Sequence, residues 1–230
     1  MKILNLTVAT LLLLTACSSH DNTAIELQFV EQEAGVEPYT TRMIITDNFL
    51  RIDDGAGSKD FILFDRKAKK ISSVSHGDRR IFEIKNHPVT MPTPTDLSWE
   101  HQPMEANDAP EINHIKPTGH SFNANQQTCL QTMSAKGLLE KARLALMEYQ
   151  TVLAGEHALN LGKTPKDQQL DCDIALNILH PTDSLQYGFP LIEWDSSGHR
   201  RQLQSFTENI TPDSTLFQLP EGFETFSINK

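Results

Sequence analysis

The spacing of apolar residues between Ile25 and Ile84 narrows the fold more than any other feature of this chain. Ile25, Leu27 and Phe29 alternate with Glu26, Gln28 and Val30, the period of two expected of a half-buried strand. Met43, Ile44 and Ile45 lead into Asp47 and Asn48, and Phe49, Leu50 and Ile52 follow, which predicts a tight hairpin. The pattern repeats: a turn over Asp53 to Gly57, an apolar Phe61 to Phe64, a turn from Asp65 to Lys70, then Ile71 to Ser75 and Arg80 to Ile84 around His76, Gly77 and Asp78. Successive hairpins of this kind build an antiparallel sheet, which can keep one face dry and the other wet.

Residues 87–118 interrupt the pattern with six of the twelve prolines, at 88, 92, 94, 103, 110 and 117. Each lacks a backbone donor, so the stretch predicts a long irregular crossing with at most a short strand around Leu97 to Trp99. Helical periodicity appears next. Leu138, Ala142, Ala145, Tyr149 and Val152, widened by Leu139, Leu146 and Leu153, form one apolar stripe, with Ser134 as the expected cap. A shorter helix is expected over 166–179, between Pro165 and Pro181, giving a helical insertion over 134–180. Strand character returns from Phe189 to Trp194, turns at Asp195 to Gly198 and resumes from Arg200 to Phe206.

The front of the chain has a different character. Lys2 precedes an apolar run from Ile3 to Leu14 that is too short to span a bilayer comfortably, the pattern of an export signal over residues 1–16. Leu14-Thr15-Ala16-Cys17 resembles the lipobox of bacterial lipoproteins, which implies lipidation of Cys17, a linker over 17–24 and a folded domain over 25–228. Ser18 and Ser19 follow the cysteine where inner-membrane retention in enteric lipoproteins uses Asp, so the resemblance implies the periplasmic face of the outer membrane. Cys129 and Cys172 remain in a chain bound for an oxidising compartment and are expected to pair. The alternative is two buried free thiols.

Charge removes other classes. With 20 basic and 30 acidic side chains the formal charge is −10, and loss of the signal with its one lysine takes it to −11. A nucleic-acid binder normally shows a basic surplus. Catalytic and metal signatures are missing from the sequence: Gly55 and Gly57 open onto a strand, and nine histidines show no helical pair. His114 and His120 could share an ion only if the intervening loop folds back. Asp53 with Asp54, and Asp171 with Asp173, read as turn and helix-flank carboxylates. Arg66, Lys67, Lys69, Lys70, Arg79 and Arg80 concentrate positive charge at hairpin tips, either for lipid headgroups or as solvated turns. No catalytic residue, metal or cofactor is expected.

The stretch from Gly188 to Asp195, the Ser197-Gly198 turn and the run Leu216-Phe217-Gln218-Leu219-Pro220-Glu221-Gly222-Phe223 resemble the closing segments of the LolA/LolB-like superfamily; Arg51-Ile52-Asp53 and Phe64-Asp65 are similar to its early strands. The resemblance implies an α+β fold in which a curved antiparallel sheet, an incomplete β-barrel, carries two helices on its concave side. It also implies an apolar hollow for a lipid or an acylated lipoprotein, with Phe29, Phe49, Phe61, Phe64 and Phe82 as candidate lining. The paired cysteines and the helices between them depart from the lipoprotein-localisation factors, so their transfer activity is not carried over. The expected role is a non-enzymatic, lipid-anchored binding protein; the alternative is an assembly subunit holding an envelope protein partner.

Overall fold

A computed structural model describes residues 23–106 and 109–227. Cys17, the signal and the first part of the linker lie outside the described residues. Twelve strands form one open sheet, in the order β12-β6-β5-β4-β3-β2-β1-β11-β10-β9-β8-β7. The five hairpin-linked strands read from the sequence are β2 (Tyr39–Ile45), β3 (Phe49–Asp53), β4 (Phe61–Asp65), β5 (Lys70–Ser75) and β6 (Arg80–Lys85), preceded by β1 (Ala24–Gln32). Every pairing in the sheet is antiparallel except that of the last strand β12 (Glu224–Ser227), which lies parallel to β6.

The proline-rich crossing holds a strand that the sequence reading did not extend far enough. β7 (Trp99–Met104) pairs with β8 (Thr118–Ala124), and Pro103 is tolerated because β7 is the sheet's outermost strand. β9 (Gln127–Ala135) follows, then α1 (Glu140–Leu161), α2 (Asp171–Ile174), β10 (Phe189–Asp195) and β11 (Arg200–Ile210).

The first helix therefore begins six residues later than Ser134. Ser134 instead completes β9, paired with Thr118 and Pro190, and its hydroxyl is hydrogen-bonded to Thr132 at 3.1 Å. Sheet pairing on both sides outcompetes the capping preference. Leu139, in left-handed conformation, takes the cap position without a side-chain bond. The second predicted helix is broken into a 3-10 turn (Lys166–Gln168), α2 and a wide π turn (Ala175–Leu179), in which the His180 N–H reaches the Ala175 carbonyl.

α1 crosses the ends of the hairpins. Lys141 pairs with Asp47 in the β2–β3 turn at 2.7 Å, Arg66 after β4 pairs with Glu148 at 2.7 Å, and Gly155 lies against the His87 carbonyl beyond β6. These contacts recur every seven residues, about 10.5 Å of helix, while two strands occupy about 9.6 Å, so the same helical face meets each hairpin end. Its stripe, Ala142, Ala145, Leu146 and Val152, closes the main core with Leu27, Phe29, Met43, Leu50 and Phe64. On the opposite face of β3–β6 a second cluster, Phe61, Leu63, Val74 and Ile81, is covered by Phe217, Leu219 and Phe223 of the closing segment. A third joins Ala124 and Cys129 to Cys172 and Ala175 through the Cys129–Cys172 disulfide, whose Cα atoms are 5.1 Å apart.

Candidate functional site

Three adjacent strands carry different chemistry on their two faces. Met133 of β9, Ile192 of β10 and Gln202 of β11 are register partners and share one face. Thr132, Glu193, Arg201 and Glu31 are partners one residue along and share the other. Side chains alternate across a strand, so each row faces away from its neighbour.

Over the first row runs the connection between β7 and β8, folded back on itself by reciprocal backbone bonds between Ile112 and Ile115 of 3.0 and 2.9 Å. Between loop and sheet lies a cleft of about 600 Å³. Ala106, Ala109, Pro110, Ile112 and Pro117 line it from the loop; Met133, Leu191, Ile192 and Leu203 line it from the sheet, with Glu105 and Gln202 as its polar members. A register shift between Pro190 and Ile192 explains how consecutive Leu191 and Ile192 both reach it, since a bulge suspends the alternation.

The second row faces the helices. The Arg201 Nε donates to Glu31 Oε1 at 2.9 Å, and its guanidinium lies 4.6 Å from the centre of the Phe29 ring. His199 Nε2 is 2.8 Å from Glu31 Oε2. Glu31 keeps only 6% of its side-chain surface exposed, so both oxygens of a buried carboxylate are engaged. Beside this group a cavity of about 170 Å³ is lined by Glu193, Gln150 of α1 and Asn177 and His180 of the π turn. Burial pushes the Glu193 carboxyl above its ordinary range, with Arg201 working in the other direction.

Further along the same face, hydrogen bonds run from the Tyr187 hydroxyl to His101 Nδ1 (3.0 Å), from His101 Nε2 to His120 Nδ1 (3.0 Å), and from His120 Nε2 to Thr118 Oγ1 (2.8 Å). Two neutral imidazoles with one donor and one acceptor each satisfy this chain in either direction. Burial, and then His101, hold the His120 pKa below 6.5. Trp99 stacks on His180 at 4.9 Å and donates to Asp183 at 3.0 Å, locking the edge strand to the helical segment.

The phenylalanines expected to line one hollow do not converge. Phe29 and Phe64 belong to the core under α1, Phe49 and Phe61 to the cluster on the opposite face, and the half-buried Phe82 to neither. None touches the cleft. Cys129 and Cys172 are joined as expected, whereas His120 partners His101 rather than His114. No group of three or more potential metal ligands occurs among the described residues. The basic hairpin tips hold the fold together: Arg66 binds Glu148, Lys70 binds Glu83, and Arg79 and Arg80 lie over the rings of Phe223 and Phe226. Asp53 is a buried anchor, receiving Arg42 at 2.8 and 2.9 Å and Arg51 at 2.7 Å. Asp171 accepts from Asn125 at 2.8 Å.

No family model matches the chain, and no curated protein matches it. Two solved structures of PNGF-II, in C2 and P21 space groups, are similar over 89% of this chain at 10% and 9% identity, each with a TM-score of 0.42. An uncharacterized conserved protein from Thermus thermophilus is similar over 90% of this chain and 91% of its own, at 8% identity and a TM-score of 0.44. The chain thus spans 31% of the length of PNGF-II and nearly the whole of the Thermus protein.

Proposed function

We propose that this chain is a lipid-anchored protein of the periplasmic face of the outer membrane, an incomplete barrel of the LolA/LolB-like kind that shelters an acyl chain without transforming it. The observation that carries this reading is the cleft over β9–β11: about 600 Å³, walled by apolar side chains from the sheet and the proline-rich loop, with Glu105 and Gln202 as its polar members. Its volume lies within the range of about 300 to 1,000 Å³ common to ligand sites. Such a lining offers an acyl chain area burial beside the polar groups of Glu105 and Gln202. The same proline-rich loop that interrupts the meander supplies one wall, and its prolines carry no backbone N–H that would need an acceptor from the sheet.

The test is a chain-length series. Neutral monoacylglycerols with ten, twelve and fourteen carbons are titrated into the purified domain by calorimetry. Each added pair of methylenes is expected to tighten binding by about 1.6 kcal/mol, roughly fifteenfold, until the cleft is full. Ile192→Asp, which puts a charge in the floor, is expected to abolish the series. Affinity independent of chain length, or no saturable binding at all, overturns the reading.

A further inference from the structure

The loop that walls the cleft leaves the sheet from β7 and returns in β8, and two histidines sit at its root. His101 lies on β7, which ends at Met104, and His120 on β8, which begins at Thr118. Pro103 is the register partner of His120, and Met104 that of Gly119. On the cleft side these strands are already as close as backbone permits, since a Cβ at Gly119 would stand 2.9 Å from the Met104 carbonyl oxygen. On the helix side runs the chain from Tyr187 through His101 and His120 to Thr118. β7 has a strand neighbour on one side only, so this chain and the bond from Trp99 to Asp183 tie it to the helical segment.

The chain tolerates one added proton and not two. With one, the central bond keeps a donor and an acceptor, and the Tyr187 and Thr118 oxygens both accept. A second leaves an N–H on each side of the 3.0 Å gap between His101 Nε2 and His120 Nδ1, with positive charge on two rings 5.2 Å apart. The Tyr187 ring, 4.1 and 4.5 Å from the two imidazoles, favours a cation but leaves that opposition of donors in place.

The surroundings supply no compensating anion at contact. Asp183, just ahead of the 3-10 turn Ser184–Tyr187, is taken by Trp99, His180 and Gln186, so a proton on His180 strengthens that pair instead. From α1, Arg143 brings a further cation to the Leu185 carbonyl at 3.0 Å and is itself paired with Glu140. Across the sheet, His120 meets Thr132 of β9, and Glu193 of β10 stands one strand further, about 9.6 Å away, beside Arg201. Glu100 alternates to the other face of β7, Glu105 lines the cleft, and Asp171 of α2 binds Asn125 at the far end of β8.

We infer that the His101–His120 pair is an acid-sensitive latch on the cleft: proton uptake parts β7 from β8 and from Tyr187, frees the loop over residues 105–117, and releases the bound acyl chain. The release rests on the acyl reading of the cleft; the latch itself does not. His120 is 7% exposed, and burial holds its folded-state pKa below 6.5, so its contribution is complete above that value and lost as pH falls through the lowered one. Two freed imidazoles titrating near 6.5 against a closed, neutral pair favour the open form by up to about a hundredfold at pH 5.5.

The experiment follows native-state hydrogen exchange of the purified protein from pH 7.5 to 5, corrected for the intrinsic pH dependence of exchange. In parallel it follows the affinity of a neutral twelve-carbon monoacylglycerol, which does not itself titrate. Opening of residues 99–104 and 118–120 is expected to rise up to about a hundredfold by pH 5.5 while β2 to β5 stay protected, and lipid affinity to fall over the same range. His101→Gln or His120→Gln alone should reduce the rise to about tenfold, and the double variant should be flat. His101 is half-buried, so His101→Gln serves should the variants at His120 fail to fold. Protection independent of pH, or an acid response undiminished in the folded variants, overturns the latch. Acid opening with lipid affinity unchanged overturns its link to the cleft and leaves the acyl reading standing. Absence of lipid binding at every pH overturns the acyl reading and the release, while exchange still decides the latch.

Discussion

Reducing the Cys129–Cys172 bridge should cost about 4 kcal/mol, and the structure says where that loss will appear. The cysteines are 43 positions apart, and the loop they close contains all of α1 and the turn before α2. Closing a loop of that length removes about 13 cal/mol/K from the unfolded chain in the chain-entropy model, which is about 4 kcal/mol at 25 °C. For a domain of this size each kcal/mol moves Tm by about 2 to 4 °C, so the reduced protein should melt roughly 8 to 16 °C lower.

The native state is expected to respond unevenly. α1 is held independently by its buried stripe and by the pairs of Lys141 with Asp47 and Glu148 with Arg66. α2 is a single turn of four residues whose attachment to β8 and β9 runs through a small cluster centred on the disulfide itself. Urea unfolding of oxidised and reduced protein measures the global loss, and native-state hydrogen exchange locates it. Exchange in residues 171–179 should rise in the reduced form while α1 stays protected. A global loss below about 1 kcal/mol would refute the loop-closure reasoning. Simultaneous opening of α1 would show that the bridge holds the whole insertion.

Two substitutions test packing and charge. Gly155→Ala should destabilise although alanine is favoured in a helix by about 1 kcal/mol, because its Cβ would stand 2.2 Å from the His87 carbonyl oxygen; overpacking against backbone costs about 1–3 kcal/mol. A higher Tm than wild type would show that residue 87 yields freely. Asp53→Asn should cost about 3–5 kcal/mol, since Arg51, whose side chain is 8% exposed and which also donates to the Leu216 carbonyl, loses its buried counter-charge. Burial works to raise the Asp53 pKa, but the bonds from Arg42 and Arg51 prevail and hold it below 3.8. Its contribution is therefore complete above that value and lost as pH falls through the folded-state pKa, so the gap between wild type and Asp53→Asn in urea unfolding should be full at neutral pH and narrow in acid. A gap constant with pH would contradict the charge argument.

The meander from β1 to β6 was legible because each strand alternates and each turn carries Asp, Asn or Gly. The disulfide was legible from the cysteine count together with the expected export signal. The start of α1 was misplaced because Ser134 has a cap's chemistry but is paired on both sides in the sheet, a tertiary preference that local sequence does not show. β7 was obscured by Pro103, which breaks a central strand but not an outermost one, and edge position depends on strand order. The phenylalanine stripe failed for a related reason. Residues 49 and 61 differ from 29 and 64 in which side of the sheet they meet, and in a sheet covered on both sides an aromatic residue at either parity is buried. The cleft residues Ile112, Met133 and Ile192 had no signal of their own, because a bulge and a loop crossing bring them together.

The charged cavity did leave a trace in the sequence, in the parity of its charges. Glu31 is two residues from Phe29, a member of the main core. On a strand, residues two apart share a face, so Glu31 follows Phe29 inward. Register on the two adjacent strands then brings Arg201 and Glu193 into the same row. Burying a row of charges is costly unless it is internally paired: Arg201 and His199 serve the buried Glu31, while Glu193 stays half-buried beside α1 and the π turn.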